Sequence, residues 1–271
     1  MLSKLARLVR PGAEASPPPS IPDGRRVYAI GDVHGRLDLL RELARAIEAD
    51  DAQQEPAQTT VILLGDLIDR GPDSAGVIAF VRNWKERRDV RVLMANHEQM
   101  LLRALESKEV LREYMRYGGR EMLLSYGVDR DDYDAATNDE LLAMLPQVLP
   151  EADLDFIRGF EDWIAIGDYL FVHAGIRPGV PIEEQSGREF YWIREPFLSH
   201  RKPHSHMVVH GHTITDRVEI RSNRIGIDTG AYGSGRLTAV ALEKTDRRFV
   251  AAVEDAVDGT IAIEHNETEM A

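Results

Sequence analysis

Side chains able to bind a metal recur along this chain in short groups, most of them next to glycine. GDVHG (31–35) carries Asp32 and His34. GDLIDRG (65–71) carries Asp66, Asp69 and Arg70. ANHE (95–98) carries Asn96 and His97, LFVHAG (170–175) carries His173, and MVVHGHTI holds His210 and His212. Carboxylate, imidazole and carboxamide donors without thiolate suit manganese, iron or zinc rather than calcium. Taken singly, each residue has an ordinary explanation. An aspartate after a strand usually caps the next helix, and a histidine in a loop is usually just solvated. Their recurrence at one kind of position is what points to chemistry.

That position is the end of a strand. VYAIGD, TTVILLGD and DVRVLMAN are short apolar runs that end on Asp32, Asp66 and Asn96. Helical spacing follows each of them, in RLDLLRELARAIEA, SAGVIAFVRNWKERR and HEQMLLRAL. Strand–helix alternation predicts parallel pairing with right-handed crossovers. In open α/β sheets ligands bind outside the carboxyl ends of the strands, so the three oxygen donors should arrive at one rim. Asp32 and His34, two residues apart in an extended segment, would point the same way.

Residues 106–160 read as a charged helical insertion, broken by DRDDYD. WIAIGDYLFVHAG then reads as a hairpin turning at Gly167-Asp168, and EEQSGREFYWIREPFL as helix. MVVHGHT, RVEI, RIGIDTG and RLTAVALE are expected to form a second, mostly antiparallel sheet. Residues 1–25, basic and then proline-rich, are expected to be a disordered tail, and residues 256–271 a polar one. The body would span 26–255. Weak membrane contact through Leu2, Leu5, Leu8 and Val9 is the alternative for the first ten residues. No apolar stretch follows them as in a secretory signal.

Composition narrows the function. A formal net charge of −13 over 271 residues argues against a nucleic-acid polymer as partner. An anionic substrate would have to be held by local positive charge. The chain has no cysteine, which excludes disulfides, zinc–thiolate sites and cysteine nucleophiles and agrees with a cytoplasmic location.

GDVHGRLDLL, GDLIDRGPDS, ANHE, HAG and HGHT together resemble the motif series of the calcineurin-like metallophosphatases, most closely the phosphoprotein phosphatase family in its small bacterial and phage form. The resemblance covers roughly residues 26–245. It implies a four-layer α/β/β/α sandwich and two divalent ions, with manganese first and iron or zinc as alternatives. Asp32, His34 and Asp66 match the ligands of the first ion. Asp66, Asn96, His173 and His212 match those of the second, with Asp66 shared and His210 outside the set. His97 matches a general acid oriented by Asp69, and Glu98 is left to cap or salt-bridge its helix. Arg70 matches a phosphate clamp, and Arg194 in YWIREPF resembles a second. Ala95 and Ala174 stand where the family usually has glycine.

The activity implied is phosphomonoester hydrolysis, with hydroxide held between the two ions attacking phosphorus in line. HAGIRPGV followed by WIREPF looks more like the serine/threonine protein phosphatase branch. Symmetric dinucleoside tetraphosphatase, or another small-phosphoester hydrolase, is the alternative. A silent phospho-binding module would normally have lost a ligand, and none is missing.

Overall fold

The alternation of β1 (Arg25–Ile30) sets the layering of the molecule. Val27 and Ala29 face one buried cluster, while Tyr28 and Ile30 face another. A strand buried on both faces must lie between two layers. The computed structural model describes residues 17–266 and shows these layers.

The first half runs β1, α1 (Leu37–Gln53), β2 (Gln58–Leu63), α2 (Ser74–Lys85), β3 (Asp89–Val92) and α3 (Asn96–Ala104). β1, β2 and β3 pair in parallel as expected. The insertion is α4 (Lys108–Tyr114), a π-helical turn at Met115–Gly119, α5 (Arg120–Ser125), α6 (Arg130–Ala135), α7 (Asn138–Val148) and α8 (Glu151–Arg158). DRDDYD is not a break: the Asp129 side chain accepts the amides of Asp131 and Asp132 and starts α6. The insertion shares the main core rather than forming a separate lobe, because Leu111, Leu123, Leu145 and Ile157 join the cluster under α1 and α2.

The second half runs β4 (Ile164–Ile166), β5 (Tyr169–Phe171), a 3-10 turn at Ile182–Glu184, α9 (Gly187–Trp192), β6 (Met207–His210), β7 (Glu219–Ile220), β8 (Arg224–Gly226), α10 (Ala231–Ser234), β9 (Arg236–Glu243), β10 (Asp246–Glu254) and β11 (Ile261–Asn266). One sheet has the order β11-β10-β9-β1-β2-β3 and the other β4-β5-β6-β8-β7. Val27, Ala29, Ile62 and Leu64 of the first meet Phe171, Val209, Ile225 and Ile227 of the second in a shared core. Phe190, Tyr191 and Phe197 cover the outer face of the second sheet against Leu170 and Val208. The order helices, sheet, sheet, helices is the four-layer sandwich.

Four expectations need correcting. RLTAVALE is not in the second sheet. As β9 it pairs antiparallel with β1, and the second sheet is mixed, with β5-β6 and β6-β8 parallel. Residues 261–266 are not a tail but an edge strand paired to β10, with Ile261 and Ile263 packed on the main core. The proline-rich segment docks before β1 begins: Ile21 is buried, its amide donates to the Lys244 carbonyl, and the Ser20 hydroxyl donates to Asp168. Helix in EEQSGREFYWIREPFL is confined to α9 and the short turn before it. Leu2, Leu5, Leu8 and Val9 lie outside the described residues. Among the described residues no helix is long and apolar enough to cross a membrane.

Candidate metal centre

Backbone conformation marks the rim before any side chain is considered. Among the described residues six non-glycine residues have positive φ, and five of them are His34, Asp66, Asp69, Arg70 and His212. Such conformations are unfavourable for residues with a Cβ, persist only where the surroundings impose them, and cluster at functional sites. His34 at φ +45° is in a turn, so it does not form an extended pair with Asp32. The two still reach one place because the chain hooks back: the His34 amide donates to the Asp66 carbonyl at 2.8 Å.

Asp66 sits at the centre. Its Oδ2 lies 3.4 Å from His34 Nε2, 3.6 Å from His173 Nε2 and 4.0 Å from His97 Nε2. Two groups of potential donors overlap on it. One is His34, Asp66 and His97; the other is Asp66, His173 and His212. Within each group the donor atoms lie within 4.8 Å of one another. Asn96 Oδ1 is 2.8 Å from His173 Nε2, beside the second group. Asp32 Oδ2 accepts the His212 amide at 2.9 Å, which ties the ends of β1 and β6 together. A Cβ at Gly211 would fall 2.0 Å from Asp32 Oδ1, so glycine is required between the two histidines.

These residues fit a metal. Second nitrogens orient the rings: His34 Nδ1 bonds the Ile68 carbonyl and His173 Nδ1 the Leu64 carbonyl, each at 2.9 Å. Burial pushes the His34 and His212 imidazoles down to about 3, and lowers His173, which favours the neutral form that ligation requires. Asp32 Oδ1 is buried with no hydrogen-bond partner. Burial opposes ionisation of Asp66, yet the surrounding histidines hold its carboxyl below the usual range. Asp69 and His97 are fully buried, with Asp69 Oδ2 2.6 Å from His97 Nδ1. His97 Nε2 is buried and unpartnered. Burial lowers the His97 imidazole, but the Asp66 charge and the Asp69 hydrogen bond outweigh it and raise the group.

Arg70 is half-buried. Its Nη1 is 3.1 Å from His34 Nε2, and its guanidinium lies 4.8 Å from the centre of the Tyr232 ring. Arg194 is exposed, but its charge reaches His212 and helps to lower it. His210 stays apart: Nδ1 bonds the Gly211 carbonyl, and the ring packs edge-on against Phe197 at 5.1 Å. His212→Ala is therefore expected to abolish activity and halve the metal content. His210→Ala should cost about tenfold, as for residues behind a ligand. Metal analysis and turnover of both variants check this, and the reverse ranking would contradict it.

The sequence reading missed several contributors. Glu98 neither caps nor salt-bridges its helix. It is buried, and its carboxylate accepts the amides of Asp66 (3.1 Å) and Leu67 (2.7 Å), fixing the loop that carries the central aspartate. Burial pushes its carboxyl up to about 8. Tyr114 of the insertion donates to Asp69 Oδ1 at 2.6 Å, and the Gly118 carbonyl accepts the Arg70 amide at 3.3 Å. The only local signal was YGG, where the helix opens into a π turn. Asp228 lay in IDTG, read only as strand, and Tyr232 in the AYG that follows, which was not singled out.

A sandwich of two facing sheets, with overlapping carboxylate and imidazole donors on its strand ends, defines the metallophosphoesterase class. Residues 25–232 match the model of the calcineurin-like phosphoesterases, and the chain belongs to that family, whose members use divalent metals. It is 30% identical over 226 residues to serine/threonine-protein phosphatase 1 of Salmonella typhimurium, covering 81% of this chain and 93% of that one. It is also 28% identical to a symmetrical bis(5'-nucleosyl)-tetraphosphatase of Nitrosospira multiformis, over 69% of this chain and 60% of the relative. Among solved structures, a cold-active protein-tyrosine phosphatase of a psychrophilic Shewanella shares the fold at TM-score 0.55 and 21% identity, covering 90% of this chain and 83% of that one.

Proposed function

We propose that this phosphoesterase hydrolyses phosphoserine and phosphothreonine in proteins. One observation carries the chemical part: the buried His97–Asp69 pair, with His97 Nε2 free, beside Asp66. An alkoxide leaving group needs a proton, and His97 is built to give one. Asp69 holds the Nδ1 proton and Tyr114 holds Asp69. Arg70 and Arg194 grip the phosphoryl oxygens, where the guanidinium fork engages two at once.

Asp32, His34, Asp66, Asn96, His173 and His212 would hold two divalent ions, with Asp66 shared; manganese is our choice of metal, ahead of iron or zinc. When bound, such ions neutralise charge on the phosphoryl group and acidify the attacking water. This answers the difficulty posed by a net charge of −13.

The protein substrate rests on the serine/threonine phosphatase relative, matched over nearly its whole length. Dinucleoside tetraphosphate is the second reading. The tetraphosphatase relative supports it, as do Tyr117, Trp192 and Tyr232, exposed near Arg70 and Arg194 and able to stack on a base. Chelator-stripped, manganese-reconstituted protein should be assayed on phosphoserine peptides and on diadenosine tetraphosphate side by side. The expected result is a kcat/KM at least about tenfold higher on the peptide. A preference for the nucleotide would replace the first reading with the second.

A further inference from the structure

Asp228 lies two residues beyond Gly226, the last residue of β8. Its position follows from a close approach of backbones. A Cβ at Gly31 would fall 2.5 Å from the Ile227 carbonyl oxygen, so the end of β1 is pressed against the end of β8. The next residues are Asp32 and Asp228, so the same backbone approach sets the two aspartates side by side, close enough for their charges to act on one another. They are 2% and 3% exposed. Among the described residues neither forms a salt bridge with a lysine or arginine, and Asp32 Oδ1 has no partner at all. The Arg70 charge acts on Asp228 without pairing with it, and two buried like charges lacking a direct counter-ion are costly; a cation beside them removes the cost.

The other contacts of Asp228 hold it still. Its Oδ1 accepts the Gly230 amide at 2.9 Å, and its carbonyl accepts the Thr215 amide at 3.0 Å. We infer that Asp228 is a positioning residue for the first metal ion: it stands behind Asp32 and adds a fixed negative charge that raises affinity at that site and not at the other. The inference rests on the two-ion reading above.

Asp228→Asn separates this role from turn-capping, because the amide oxygen still accepts the Gly230 N–H while the charge is gone. Titration calorimetry of chelator-stripped protein with Mn(II) alone provides the test. Wild type should bind two ions. In D228N one binding event should weaken by about 10–100-fold, while the other stays within about twofold. The melting temperature of the metal-free variant should be equal to or above that of metal-free wild type, since a buried repulsion is removed, and the Mn-induced rise should shrink. Asp228→Ser, which also keeps a capping oxygen without charge, gives the same comparison if D228N does not accumulate. Unchanged affinity at both sites would overturn the inference and leave Asp228 as a turn cap. Failure of wild type to bind two ions would instead overturn the two-ion reading, and this inference with it.

Discussion

Asp66→Asn is expected to lose more bound metal than any other single change at the centre, and with it essentially all phosphatase activity. Asp66 is the residue common to both donor groups. His34, His97 and His173 all present Nε2 to its Oδ2 at 3.4–4.0 Å. A carboxamide at this point loses the negative charge that the two proposed ions would share and offers one weak oxygen. Loss of one outer ligand, as in His212→Ala, leaves the first group intact. Elemental analysis of the purified variants after equilibration with manganese checks the ranking. Metal content in Asp66→Asn equal to wild type would show that Asp66 does not bridge. The fold should survive the change, because the Asp66 amide is held by Glu98 and the sheet cores lie elsewhere.

His97→Asn is expected to keep both ions and lower turnover of a phosphoserine peptide by about 10²–10⁴. A general acid matters in proportion to how badly the leaving group needs a proton. Serine alkoxide is a poor leaving group, whereas p-nitrophenolate leaves almost unaided. The loss on p-nitrophenyl phosphate should therefore be clearly smaller. Tyr114→Phe removes the hydrogen bond to Asp69 and should show the same ordering, at about tenfold on the peptide. Equal losses on both substrates would make His97 part of the phosphate clamp. His97 also falls within the first donor group, so loss of metal from His97→Asn would mark it as a ligand rather than an acid.

The donors were legible in the sequence because each stands at the end of an apolar run, and strand ends converge in an α/β sheet whatever the details of pairing. What supports them was not legible. β9 pairs with β1 across more than two hundred residues of chain, and nothing local to RLTAVALE says which sheet it joins. β11 is short and polar on one face, and only its position beside β10 makes Ile261 and Ile263 part of the core. Glu98 occupies an ordinary helix-capping position, so its hold on the Asp66 loop appears only when β2 and α3 are brought together. Tyr114 looked like one more aromatic in a charged helix until the fold placed its hydroxyl on Asp69. Asp228 was hidden for the same reason: an aspartate after a strand is usually a cap, and this one is a cap as well, at Gly230.

Two divalent ions held on Asp66 are proposed to carry the hydrolysis. Chelator-stripped protein titrated with manganese, with phosphoserine-peptide turnover followed against bound metal per chain, tests this proposal most directly. The stripped protein should show negligible turnover, with full rate only as two ions per chain are bound. Turnover that survives stripping, or that saturates at a single bound ion, would contradict it.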